Sequence, residues 1–364
     1  MPSPKRLGLP LPTERFDERD AMFSRAALEP GTPAYAAAYA RRPGWKDVDD
    51  AIRSLPRLTE PGGKLFDPDV MAETAGLFAA LERLELDPEW LAAQSAALRG
   101  ASEASAHLAR LALRLGAVAA GWAPLEPAFV YSHKGRFAAQ WGEPVQLDHR
   151  HALVFLVEMG SDAMRRAPSA EGMRESARQY HNAARIGLHL EALIRAAGFD
   201  AKHHYDAHYD VILPPLAVLA GLGEIGRNNI LIADRLGARV RIGCVTTSMP
   251  ARLATPKALG VRAFCEVCRK CAESCPSGAL TSGDREEVLG APRWPTRVER
   301  CYRYWRQTGT DCGICMACCP FSHPDGALHN LVRRIVRRAP WAHRALVRGD
   351  ALIYGRRWKP GRGR

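Results

Sequence analysis

Nine of the ten cysteines in this 364-residue chain fall between positions 265 and 320, and any fold it adopts must gather them. The stretch opens Cys265-x2-Cys268-x2-Cys271-x3-Cys275-Pro276. It closes with Cys301, ten intervening residues, and then Cys312-x2-Cys315-x3-Cys319-Pro320, with Cys318 as an extra thiol. Two-residue spacers let successive sulfurs curl round a single inorganic centre, whereas the x3-Cys-Pro step directs the next sulfur away from it. That step occurs twice, so the two halves of the stretch are arranged to exchange a ligand.

The first half has the spacing of a bacterial two-cluster ferredoxin, where three thiolates hold one [4Fe–4S] cube and the fourth, before proline, reaches the other. Reciprocity then assigns Cys265, Cys268, Cys271 and Cys319 to one cluster. The other takes Cys275, Cys301, Cys312 and Cys315, which leaves Cys318 and Cys244 free, with Cys318 the alternative ligand in place of Cys319 or Cys301. Disulfides are disfavoured in a chain of this size without an export signal. Structural zinc uses Cys-x2-Cys pairs but gives no reason for two x3-Cys-Pro steps.

Apolar residues make up 47% and charged residues 25%, as in ordinary globular proteins. No run approaches the ~20 apolar residues of a membrane span, and the opening Met1-Pro2-Ser3-Pro4-Lys5-Arg6 leads into no apolar leader segment. The expectation is a cytoplasmic protein without a membrane partner, in a compartment where thiols stay reduced. Fifty-one basic against thirty-nine acidic residues give a net charge of +12, with Arg333-Arg334, Arg337-Arg338, Arg356-Arg357 and Arg362-Gly363-Arg364 near the end. No nucleic-acid module accompanies that charge. A basic surface for an acidic electron donor, or a solvated helix face, is therefore preferred to a nucleic-acid partner.

Along the chain, residues 1–60 are rich in Pro, Gly and charge and read as a segment wrapped over the body. Residues 67–120 carry apolar positions at helical spacing, with Gly116 as a stop. Ala152-Leu153-Val154-Phe155-Leu156-Val157 is a strand-length apolar run that predicts burial on both faces. A long helix is expected through Met173, Tyr180, Leu188 and Ile194, ended by Gly198. Residues 205–213 read as a short strand, and Arg239 to Thr246 as the last strand before the cysteines. Between them, Gly221, Gly223 and Gly226 crowd one loop, where glycine permits close approach of backbone to a ligand. Two amphipathic basic helices are expected near 325–338 and 341–353.

These residues together resemble the reductive dehalogenases, especially their non-exported, cytoplasmic type. The likeness runs through Glu14 to Arg25, Ala220-Gly221-Leu222-Gly223-Glu224, Gly226-Arg227-Asn228 and Arg239-Val240-Arg241. It is most specific at Cys301-Tyr302-Arg303-Tyr304-Trp305 and Gly309-Thr310-Asp311-Cys312-Gly313-Ile314-Cys315, and ends with Pro320-Phe321-Ser322-His323-Pro324 and Tyr354-Gly355-Arg356-Arg357. The resemblance implies an α/β (α+β) fold, with a nitroreductase-like cobalamin-binding domain and a two-[4Fe–4S] ferredoxin-like domain. The expected boundaries are a wrapping segment at 1–100, the cobalamin-binding domain at 101–260, the cluster domain at 261–325 and a basic tail at 326–364.

The resemblance also implies electron flow through the clusters to cobalamin and removal of halide from an organohalide, aromatic in the first instance. Tyr180 takes the place of the proton-donating tyrosine, with a cation from Arg241 or Arg239. Those two arginines lie on one face of a strand, so the sequence does not choose between them. Gly221, Gly223 and Gly226 are the expected cobalamin contacts. His204 and His208 fall where further pocket residues are placed. A separate electron donor (ferredoxin, flavodoxin or reductase) is expected. The chain departs from the family at Val245-Thr246-Thr247-Ser248-Met249-Pro250 and at His208. The competing expectations are an epoxyqueuosine reductase-like enzyme acting on tRNA and a non-catalytic cobalamin or electron-transfer protein.

Overall fold

The computed structural model describes residues 9–99 and 103–359, so Met1–Arg6 and Arg362-Gly363-Arg364 lie outside the described residues. Three helices open the chain, α1 (Met22–Ala27), α2 (Pro33–Arg41) and α3 (Lys46–Arg53). Residues 1–60 are thus largely helical where they are described. They are anchored by a buried cation: the Arg25 guanidinium lies 3.1 Å from Asp49 on α3 and 2.8 Å from Glu299 far along the chain. The expected helical stretch resolves into α4 (Pro68–Ala80), α5 (Pro88–Arg99) and α6 (Ala104–Arg114).

The central sheet explains the apolar run. Strands β1 (Ala119–Pro124), β2 (His151–Glu158), β3 (Ala201–His204) and β6 (Val240–Thr247) lie in the order β1-β2-β6-β3, every neighbour antiparallel. An antiparallel sheet commonly leaves one face to water and alternates accordingly. Here both faces are covered. Ala152, Val154 and Leu156 pack with Leu216 and Ala217 of α9 (Leu213–Leu219), whereas Leu153, Phe155 and Val157 pack with Leu108 and Leu111 of α6 and Ile186 and Leu190 of α8 (Ala170–Ala196). Successive strand residues point to opposite faces, so coverage of both faces requires an unbroken apolar run. Phe155 stands opposite Gly243, and a Cβ at Gly243 would overlap its ring. Cys244 sits in this core, its thiol pKa pushed up by burial.

Helix α8 follows the short α7 (Ser161–Arg165) and runs beneath β6 and β3. Ser169 caps it by accepting from the Gly172 N–H at 3.1 Å, and Gly198 leaves it at φ +90°. The strand expected at 205–213 is absent. β3 ends at His204, and the chain turns through Ala207 at φ +65°, with the His208 N–H donating to Tyr205 O at 2.9 Å. A stack of His203, Tyr205 and His208 rings, with centroids 4.8 and 4.6 Å apart, accompanies that turn.

Beyond α9 come two hairpins, β4 (Gly223–Ile225) with β5 (Leu231–Ala233) and β7 (Glu286–Val288) with β8 (Ala291–Arg293). The cysteine stretch carries four helices, α10 (Val261–Cys268), α11 (Lys270–Glu273), α12 (Val298–Thr308) and α13 (Ile314–Ala317). The two basic helices follow as α14 (Ala327–Arg338) and α15 (His343–Tyr354). α15 packs on α10 and α11 on α13. A third core unites Met159, Ile232, Phe264, Met316, Phe321 and Val336 with Cys265, Cys268 and Cys315. The architecture is mixed α/β, and no helix among the described residues is long and apolar enough to cross a membrane.

Candidate functional site

The loop before the cysteines is built to hold them. Glu224 on β4 accepts backbone N–H bonds from Leu259, from Gly260 at 3.2 Å and from Arg262 at 3.2 Å, placing a carboxylate at the N-terminus of α10. Such a charge stabilises the helix start. Arg227, 2% exposed, donates to Cys265 O (3.1 Å), Thr281 O (3.0 Å) and Gly283 O (2.9 Å), with its guanidinium 4.6 Å from the Trp294 ring centre. Asn228 donates to Cys315 O at 3.2 Å. One loop thus grips both halves of the cysteine stretch through their carbonyls.

The thiols fall into two neighbourhoods. Burial pushes Cys265, Cys268 and Cys319 up to about 12; Cys319 and Glu224 add to the push on Cys265, Cys265 and Asp350 to that on Cys268, and Cys268 and Asp350 to that on Cys319. Cys271, raised by burial, then feels Cys318, Cys265 and Cys319, and last Cys315. In the second neighbourhood burial raises Cys301 to about 11 and Cys312 to about 12; Cys275 adds to the first, and Cys301 and Cys275 to the second. Cys315, raised by burial, feels Cys312, Cys301 and Cys275 and then Cys319, so the two neighbourhoods adjoin there. Cys275 itself is different. Burial opposes its ionisation, but the Ser277 hydroxyl and the N–H groups of Leu280, Ala279 and Ser277 hold the thiolate, and its pKa is lowered. Among the described residues no three His, Cys, Asp or Glu side chains converge on a single metal ion.

Tyr180 and Arg241 meet. The Arg241 guanidinium carbon lies 4.7 Å from the Tyr180 ring centre, and Phe78 adds a ring at 6.3 Å. Arg241 donates to Ser176 Oγ at 2.6 Å and to Asp311 Oδ2 at 3.1 Å, and its buried Nε–H has no partner in the described chain. Burial raises the Tyr180 pKa, with Arg241 opposing. The phenol therefore keeps its proton at neutral pH, with a cation against its ring. Burial also raises Asp311 and Asp206; Arg241 opposes the first, and Arg136 and then Arg241 the second.

Arg239 has gone elsewhere, to Glu158 (2.9 Å), Met159 O (3.1 Å) and Ser322 O (3.0 Å). Packing thereby chooses Arg241 as the neighbour of Tyr180. Ser176 had a legible signal, since it precedes Tyr180 by one helical turn and shares its face. Asp311 precedes Cys312 directly but gave no sign that it reaches back to β6. Asp206 lies in the turn read as strand.

The other sequence candidates have structural employment. His204 is buried, with Nε2 2.8 Å from Thr246 Oγ1 and Nδ1 accepting from the Asp210 N–H at 3.2 Å. His208 lies against Glu82, its Nε2 2.6 Å from the carboxylate. A Cβ at Gly221 would come within 2.6 Å of Thr255 O, one at Gly223 would overlap Ile232 O, and one at Gly226 would stand 3.0 Å from Asn228 Oδ1. These approaches are to the chain itself. A cavity of about 910 Å³ lies between α7, the Cys318 region and the segment Leu352–Lys359, and its rim includes Arg239.

Comparison with known proteins first defines the class: the homologues of this chain are oxidoreductases. They are reductive dehalogenases, with epoxyqueuosine reductase a further relative. No family model matches the chain. The tetrachloroethene reductive dehalogenase of Desulfitobacterium hafniense is 30% identical over 215 residues, covering 56% of this chain and 38% of that protein. Epoxyqueuosine reductase of Gloeobacter violaceus is 29% identical over 116 residues, covering 29% of this chain and 34% of that protein. Among solved structures, the catabolic reductive dehalogenase NpRdhA superposes with a TM-score of 0.72 at 24% identity, over 96% of this chain and 48% of that one. A reductive dehalogenase discussed for B12-dependent dehalogenation superposes at 0.66 and 24% identity, over 84% of this chain and 46% of that one. The chain therefore spans about two fifths of that curated dehalogenase and about half of these solved ones.

Proposed function

We propose that this chain is a reductive dehalogenase-like oxidoreductase, cytoplasmic, carrying two [4Fe–4S] clusters and cobalamin and removing halide from an organohalide. Cys265, Cys268, Cys271 and Cys319 would hold one cluster and Cys275, Cys301, Cys312 and Cys315 the other. The two thiol neighbourhoods, and the amide-rich setting that favours the Cys275 thiolate, support that division. Cys318, 1% exposed, is the spare thiol and lies near both Cys315 and Cys319. Bound iron would reverse the upward push on these thiols, because a coordinated thiol is deprotonated outright.

Two features suit a corrinoid. The orphan N–H at Arg241 Nε offers a donor where the chain supplies no acceptor, and a separate cavity of about 910 Å³, lined by Arg239 and Cys318 but not by Tyr180 or Arg241, offers volume. Bound cobalamin would supply the low-potential metal centre at which the carbon–halogen bond is reduced. Over the whole reaction two electrons and one proton enter, and a C–H bond and a halide ion leave. The chain's own part is the proton. Tyr180 releases it from the phenol oxygen, Arg241 stabilises the resulting tyrosinate, and Asp311 with Ser176 fixes the guanidinium fork. Phe78 and Tyr180 suit an aromatic substrate by offering ring faces and edges.

The observation that carries this reading is the joining of Tyr180, Arg241 and Asp311. It ties a protonated phenol and its cation to Asp311, the residue before Cys312. The test is an anaerobic preparation analysed for cobalt, iron and sulfide, followed by halide release from a halophenol panel. One corrinoid and about eight irons per chain are expected for two cubes. Protein that cannot be loaded with cobalamin, or that turns over epoxyqueuosine-containing tRNA but no organohalide, would sink the proposal.

A further inference from the structure

Cys268 of the first thiol neighbourhood opens onto a basic cleft. A cleft of about 520 Å³ between α10 and α15 has Cys268 on its wall, ringed by Arg269, Lys270, Arg344, Arg348 and Arg356. Its acidic groups are already engaged: Asp350 by Lys270 at 2.5 Å, Glu273 by Arg356 at 2.9 Å and Glu266 by Arg285 at 2.5 Å. Arg269, Arg344 and Arg348 have no ion-pair partner among the described residues, and all three are exposed. Nearby in the chain, Trp341 in the turn between α14 and α15 and Leu352 on α15 are 88% and 87% exposed, and Arg334 and Arg338 on α14 are also open to solvent. Large apolar side chains within a field of unpaired arginines have the composition of a docking surface.

We infer that this cleft is where electrons enter, through transient docking of a small one-electron carrier protein with an acidic surface around its own redox centre. The inference rests on the cluster assignment proposed above and gives its electron donor a place and a charge. The carrier loses one electron and the centre held by Cys268 gains it, with no bond made and no proton moved. Charge complementarity selects this partner, since an acidic face would neutralise the three free arginines while leaving the engaged carboxylates undisturbed. Steering by such a field speeds encounter and weakens steeply with salt. An RNA would also be attracted, which makes it the competitor the test must exclude.

The test compares wild-type holoprotein with Arg344→Glu/Arg348→Glu and Arg344→Lys/Arg348→Lys double variants, all prepared anaerobically with iron determined. A purified acidic two-cluster ferredoxin is the probe, and stopped-flow absorbance follows reduction of the clusters. Reduction by ferredoxin should slow about tenfold or more in the Glu variant, and comparably in wild type as salt rises from ~50 to ~300 mM. The Lys variant should stay near wild type, and reduced methyl viologen should reduce all three alike. Equal ferredoxin rates in iron-replete Glu and Lys variants would overturn the docking site and leave the cluster assignment standing. Protein without iron, or clusters that viologen does not reduce, would overturn the assignment itself. Displacement of bound ferredoxin by equimolar tRNA would hand the surface to RNA and overturn the inference.

Discussion

Replacing Tyr180 by Phe removes a single oxygen, and the structure separates its two consequences. The ring keeps its place 4.7 Å from the Arg241 guanidinium and 6.3 Å from Phe78, so the cation–π contact and the packing survive. Loss of one hydroxyl from such a site changes stability by about 1 kcal/mol or less. Loss of a positioned general acid costs about 10²–10⁴ in rate, which is roughly 3–5 kcal/mol of barrier. The proposal thus predicts a variant that is nearly as stable as wild type but at least a hundredfold slower, in the terms of the same estimate. A core tyrosine predicts little change in either. Arg241→Ala should be worse for the fold. It strips the cation from Asp311, whose side chain is 17% exposed, and leaves a carboxylate that burial already disfavours; the cost is about 2–3 kcal/mol after discounting a fully buried pair for partial solvent access. Arg241→Lys should lie between, with the charge kept and the fork lost. The assay is single-turnover halide release from pre-reduced enzyme, with denaturation midpoints measured alongside. Wild-type halide release and protonated product from Tyr180→Phe would refute the role of the phenol.

Cys265→Ser and Cys275→Ser should each remove or convert one cluster and leave the other, read as iron content and low-temperature EPR; unchanged spectra in both would break the assignment. Gly223→Val should disrupt the β4–β5 hairpin, because its Cβ would overlap Ile232 O. Expression, thermal stability and iron content should therefore fall together, and selective loss of corrinoid from a stable, iron-replete variant would show instead that the loop contacts the cofactor. His204 supplies a pH prediction. Burial, followed by the nearby cations, holds its pKa well below 6.5. As pH falls below 6.5 the unfolded chain binds a proton that the folded chain refuses, so stability declines with acidity. His204→Gln should flatten that decline between about pH 7 and about pH 5 in denaturant titrations, and an unchanged slope would contradict it.

The parts of this protein legible in its sequence are those whose chemistry is local. The cysteine spacing carries the proposal of two inorganic centres, because ligands two and three residues apart depend on short-range chain geometry alone. The apolar run at 152–157 marks a strand covered on both faces, since side chains that alternate between faces can be uniformly apolar only when neither face meets water. The stripe from Met173 to Ile194 and the stop at Gly198 delimit α8 for equally local reasons. Residues 205–213 were misread because their aromatic and apolar residues suit a strand, whereas Ala207 turns left-handed and the rings stack across the turn instead. What only the tertiary structure decided is which element covers which face. Arg239 and Arg241 are equivalent in sequence until Glu158 and Ser322 claim one and Tyr180 the other. Asp311 joins the site across seventy residues of chain, and Arg227 reaches Cys265 O across thirty-eight. A side chain's periodicity fixes the direction it leaves its own backbone, but its partner is settled only when distant segments pack, and that partner decides whether an arginine serves the fold or a phenol.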